Sequence, residues 1–194
     1  MGFDIRAAVL FVAITTFSSI ACAQPQEILS QPDPDSPIGE RNERAPEELS
    51  QYGFLIGDWD VDITLFRPEG EPHDYKAKWH NTWIVNGTVV FQEWRGPYAT
   101  GAELRHYNSE ENYWEGRNVY AGNASWYENI ATWNEEAGEM VVRRKMTSPR
   151  GPYLNDEIYH DISENTFKIR TRVSFDDGSS WESGSYEITA TRSQ

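Results

Sequence analysis

The sequence predicts an all-β protein: an antiparallel, up-and-down β-barrel of about ten strands preceded by a short helix. Three observations predict it. From Phe54 onward, short runs rich in Trp, Tyr, Val, Ile and Thr are broken about every ten residues by Gly, Pro, Asn and Asp, the composition of strands and their turns. Asn86-Gly87 and Asp177-Gly178 are hairpin-turn dipeptides, and Glu135 to Gly138 and Pro149 to Pro152 are natural breaks. Consecutive strands joined by short turns favour a closed barrel, because closure removes exposed edges. A two-sheet β-sandwich is the alternative architecture.

The expected strands fall near 58–66, 74–84, 87–95, 101–107, 112–120, 124–133, 138–147, 153–161, 166–175 and 180–191. Pro46 suits the first position of a helix running through Glu47, Glu48 and Leu49 toward Tyr52, with both acids favourably placed at its N-terminus. That helix is expected to plug or abut one end of the domain. In the first strand Trp59, Val61, Ile63 and Leu65 share one face and Asp58, Asp60, Asp62 and Thr64 the other, so the apolar face points inward. In the ninth, Phe167, Ile169, Thr171, Val173 and Phe175 oppose Lys168, Arg170, Arg172 and Ser174, and either face is compatible with a barrel interior.

Upstream, residues 1–23 read as an export signal: Arg6 precedes an uncharged apolar run, Ala7 to Ile14, and small residues lead to Gln24. The run is shorter than the roughly 20 residues a membrane-spanning helix needs. Two processing sites compete, Ala21-Cys22-Ala23 for release and Ile20-Ala21-Cys22 for lipidation at Cys22. The expected location is periplasmic or secreted, with a lipid anchor as the variant. Residues 24–50 are Pro-rich and acidic and read as a disordered linker, leaving 51–194 as one domain. Cys22 is the only cysteine, so stability must come from the core rather than a disulfide.

The formal charge of −14 argues against a nucleic-acid partner, which needs a basic stripe. The four histidines, His73, His80, His106 and His160, lack zinc-ligand spacing. Asp58-x-Asp60-x-Asp62 imitates the opening of a calcium loop, but Ile63 stands where such a loop needs glycine, and a strand holds same-face carboxylates about 7 Å apart. No Gly-x-Ser-x-Gly occurs. No metal or other cofactor is therefore expected.

FLIGDWDVDITLF at 54–66, with its Gly57-x-Trp59, resembles the opening strand of lipocalin-like barrels. WHNTWIVNGTVVFQEWRGP at 79–97, GAELRHYNSEENYWEGR at 101–117 and DISENTFKIRTRVSFDDGSSWESGSYEITATR at 161–192 are similar to a bacterial lipocalin-like (calycin-type) domain family of unknown function. The resemblance implies a barrel with an interior cavity and lends no reaction. Nitrobindin-like barrels are also similar and hold haem through a histidine near the C-terminus; no histidine follows His160, so haem is not expected.

Core filling is the simpler explanation for any one of the eight tryptophans in this 13% aromatic chain, but a ten-strand barrel is wide enough that some of the set are expected to line a cavity. The expected function is binding of a small, mostly apolar or amphipathic molecule. Trp59, Trp83, Trp94 and Trp114 are the expected walls, with Arg105, Arg117 and Arg170 as polar anchors. Two alternatives stand beside it: a cofactor-free isomerase, cyclase or hydratase using Glu93, Glu128 or Glu157 as acid or base, and an envelope interaction protein with a filled core.

Overall fold

The computed structural model describes residues 37–194, so the expected export signal, Cys22 and the first half of the Pro-rich linker lie outside the described residues. Ten strands follow one another: β1 (Gly57–Leu65), β2 (His73–Ile84), β3 (Val89–Arg95), β4 (Thr100–Asn108), β5 (Tyr113–Tyr120), β6 (Asn123–Asn134), β7 (Glu139–Ser148), β8 (Gly151–His160), β9 (Thr166–Ser174) and β10 (Glu182–Arg192). Each pairs antiparallel with its neighbour in sequence, and β1 also pairs with β10, from Trp59↔Arg192 to Leu65↔Tyr186. The sheet is a closed up-and-down barrel rather than a sandwich.

A 3-10 helix, Glu47–Leu55, precedes β1. Its buried residues are Leu49, Tyr52 and Leu55. That spacing of three matches the three residues per turn of a 3-10 helix and places all three side chains on one face. The helix lies against the barrel end where β1 starts: Tyr52 stacks edge-on to Trp114, and the Trp59 indole donates to the Leu55 carbonyl at 2.8 Å. Part of the segment read as linker also packs. Asn42 is buried and its amide donates to the Gly87 carbonyl at 3.0 Å. Gly87 has φ of 75°, and a Cβ there would collide with the backbone of Glu40 and Asn42, so the Asn86-Gly87 turn serves as a seat for the incoming chain.

Strand parity divides the barrel wall as the alternation requires. Trp59, Val61, Ile63, Phe167 and Ile169 point inward and are buried, while Lys168, Arg170 and Arg172 face outward. On the outer face of β1, Asp58, Asp60 and Asp62 stand opposite His80, Lys78 and Lys76 in register, and each contacts its partner. The alternating carboxylates therefore form a cross-strand charge ladder, and no group of residues suited to a metal ion occurs among the described residues. No helix among the described residues is long and apolar enough to cross a membrane.

Candidate ligand cavity

The barrel interior is layered. The helix-covered end is solid: Phe54, Trp59, Tyr159 and Phe167 meet edge-on or tilted at centroid distances of 4.7 to 5.8 Å. Arg192 closes this end from outside, lying 4.3 Å over the Trp59 ring and donating to the Ile56 carbonyl at 2.9 Å.

Above this core sits a polar layer, then a cavity of about 210 Å³ that opens at the far end. The polar layer comes from alternate residues of adjacent strands. Gln92, Glu103, Arg105 and Asn129 are all buried. Arg105 Nη2 donates to Gln92 Oε1 at 2.6 Å and to Glu103 Oε2 at 3.1 Å, and Asn129 Nδ2 donates to Glu103 Oε1 at 2.8 Å. Gly116, opposite Arg105 on β5, makes room for this cluster, since a Cβ there would collide with Asn129 Oδ1 and Glu103 Oε1. Across the barrel Arg144 pairs with Glu157, which also accepts from the Tyr186 hydroxyl. Arg144 lies 3.9 Å from Glu103 and so links the two halves.

A bulge aims Tyr186. The β9–β10 register shifts between Ser183 and Glu187, and Thr171 fills the irregularity, donating to the Tyr186 carbonyl at 2.7 Å and accepting from its amide at 3.2 Å. Burial, reinforced by the Glu157 carboxylate, pushes the Tyr186 hydroxyl well above the usual tyrosine range. Burial weighs against the Arg105 cation, but the Glu103 carboxylate beside it holds its pKa above the ordinary arginine value. The Tyr52 ring lies 5.1 Å from the same guanidinium and supports it from the helix side.

The cluster has two guanidiniums and two carboxylates, yet its hydrogen bonding is incomplete. Arg105 Nε and Nη1, Gln92 Nε2 and Arg144 Nε are buried donors without a partner among the described residues. Arg105, Gln92 and Arg144 all line the cavity. The cavity walls above them are apolar and aromatic, including Tyr75, Trp79, Trp94 and Tyr120. The site thus joins an aromatic sleeve to a buried polar cluster whose hydrogen bonding is incomplete.

The residues singled out from the sequence divide by position. Trp94 and Arg105 line the cavity. Trp59, Trp83 and Trp114 point inward but are buried in the solid end, where the helix has already filled the space; Trp114 donates to Gln51 at 3.0 Å. Arg117 and Arg170 sit on outward-facing positions, paired with Glu128 and Glu139, which corrects their expected place as anchors inside the barrel. Of the three carboxylates, Glu157 lines the cavity, while Glu93 and Glu128 face outward against Arg95 and Arg117. Sequence reasoning missed Trp79, Gln92, Glu103 and Arg144. Alternation in β4 groups Glu103, Arg105 and Tyr107 on one face but does not turn that face inward; the structure buries it and leaves Leu104 exposed.

No protein-family model matches the sequence, and no curated protein matches it. Solved structures do. Rv2717c from M. tuberculosis matches at a TM-score of 0.51 and 10% identity over 77% of this chain and 99% of that one. The S-type phycobiliprotein lyase CPES of Guillardia theta matches at 0.49 and 11%, over 74% and 90%. A protein of unknown function from the DUF3598 family of Nostoc punctiforme matches at 0.27 and 11%, over 77% and 100%. The likeness to Rv2717c is one of fold, and that fold is the closed antiparallel β-barrel seen in this chain.

Proposed function

We propose that the barrel binds a small amphipathic molecule, with its apolar body between Trp79, Trp94 and Tyr75 and an oxygen acceptor on the floor. The observation that carries this reading is the set of buried, unpartnered donors of Arg105 and Gln92 at the base of an aromatic cavity. Leaving such groups without partners costs about 1–3 kcal/mol each, and a ligand carboxylate or carbonyl would recover that cost. The cavity is below the roughly 300–1,000 Å³ of sites for drug-sized ligands, so it suits a compact head group. The 210 Å³ space also speaks against the filled-core alternative.

The acid–base alternative finds Glu157 inside the barrel, but not isolated. Its Oε1 accepts from both Arg144 and Tyr186, so that oxygen is already engaged by donors and is not free to take a proton from a substrate. Binding is therefore the better-supported reading.

Titration with small carboxylates and terpenoids, followed by intrinsic tryptophan fluorescence, tests it. A saturable change that Trp94→Phe reduces and Gln92→Leu weakens is the expected result. A panel producing no saturable change would sink the proposal. We also infer, from the sequence of residues 1–23, export to the periplasm or beyond; mass spectrometry of the mature N-terminus tests this and decides whether Cys22 carries lipid.

A further inference from the structure

The β6–β7 ladder runs only from Ile130↔Arg143 to Asn134↔Glu139, although β6 begins at Asn123 and β7 ends at Ser148. Both strands keep their other neighbours over the remainder: Trp126 to Glu128 pair with β5, and Arg144 to Ser148 pair with β8. Toward the open end, two strand edges therefore face each other without a shared ladder.

A groove of about 710 Å³ occupies this place. Trp126, Glu128 and Arg143 line it from outward-facing positions, and Tyr127, Asn129 and Arg144 from inward-facing ones. Because alternate residues project to opposite faces, a space bounded by both sets passes between the strands rather than over them. Arg144 also lines the barrel cavity, so slot and cavity meet at that side chain.

The slot is mixed in character: Glu115, Arg117, Glu128, Arg143 and Lys145 line it beside a set of exposed apolar side chains. Trp126, Tyr127, Ile130 and Met146 are all exposed large apolar side chains, and all four line it. Contiguous exposure of this kind marks a binding surface. At the junction, Arg144 Nε is a buried donor without a partner among the described residues, while the same guanidinium is held by Glu157.

We propose that the β6–β7 slot is a second compartment of the binding site, taking the apolar tail of a free amphipathic molecule whose oxygen-bearing head sits in the barrel. The inference rests on the binding reading above and extends it. The cavity takes the head and the start of the apolar body; the slot provides the larger volume, with four apolar side chains among its walls and Arg144 at the crossing.

Homologous n-alkyl carboxylates from butanoate to tetradecanoate, titrated calorimetrically below micelle-forming concentrations, test this. In the wild-type protein the Kd is expected to fall about fourfold per added methylene, the effect of burying each in an apolar site, throughout the series. Trp126→Ser combined with Met146→Ser alters two exposed positions, and is expected to flatten the gain for the long members while leaving the short ones unchanged. A wild-type series that stops improving beyond the shortest members, or a variant that keeps the wild-type slope, overturns the slot and leaves cavity binding standing. If no member of the series binds, the head-group reading fails and the slot falls with it.

Discussion

Arg105 is held by a residue of its own strand: its Nη2 lies 3.1 Å from Glu103 Oε2, two residues back along β4, with both side chains 2% exposed. The pair is therefore desolvated, with Arg144 at 3.9 Å as a second, more distant cation for Glu103. Removing one partner strands the other in the interior, which costs about 3–5 kcal/mol. Arg105→Met alone is expected to lower the urea unfolding free energy by that amount. Arg105→Met with Glu103→Leu is expected to recover part of it, because no uncompensated charge remains. A single variant as stable as the wild type would show that Arg105 does not neutralise Glu103.

On the outside of the barrel, Asp156 is fully buried although its strand parity points it outward. Arg143 and Arg172 reach it from the two neighbouring strands, each through two hydrogen bonds. Both guanidiniums lie over the Trp181 ring, at 5.3 and 4.0 Å. Asp156 thus ties three strands to the segment leading into β10. Asp156→Ala is expected to cost about 1.5–3 kcal/mol, the scale of hydrogen bonds to a charged group, since the exposed arginines regain water. Chemical denaturation measures the loss, and a cost near zero would mean that Trp181 packing alone holds the segment.

The β9–β10 connection has its own acid sensitivity. Hydrogen bonds from the Ser180 hydroxyl and amide, then from the Ser174 hydroxyl, hold the Asp176 carboxyl down at about 2. A depressed folded-state pKa gives stability that is present above the unfolded value of about 3.9 and disappears as pH falls through the folded one. The gap in urea midpoint between wild type and Asp176→Asn should be widest above about pH 4 and should close near pH 2. A gap that stays constant across this window would show that the turn does not depend on the carboxylate charge.

Much of the fold was legible in the sequence because the code for it is local. The expected second strand, 74–84, and the observed β2, His73–Ile84, differ by one residue, since alternation and turn chemistry act between near neighbours. The packing of Asn42 against Gly87 was not legible: a polar Pro-rich stretch carries no periodicity, and its place is set by a contact 45 residues away in the chain. Arg117 and Arg170 went astray because strand parity alone does not say which face of an amphipathic strand closes inward. Trp114 shows a related limit, because it points inward but the helix occupies the space beneath it.

By itself the sequence determined the strand count and order, the hairpin positions, the capping helix and the inward face of β1, because each follows from periodicity and turn preference within a few residues. Only the tertiary structure decided that Glu103, Arg105, Arg144 and Glu157 share one polar layer, since they come from three strands whose register has to be accumulated around the barrel. It alone decided that β6 and β7 part at Ile130↔Arg143, because a ladder's end depends on how the curvature of the whole wall is distributed rather than on either strand's residues. The ring of strands is thus written locally, whereas the site inside it and the slot beside it arise from closure.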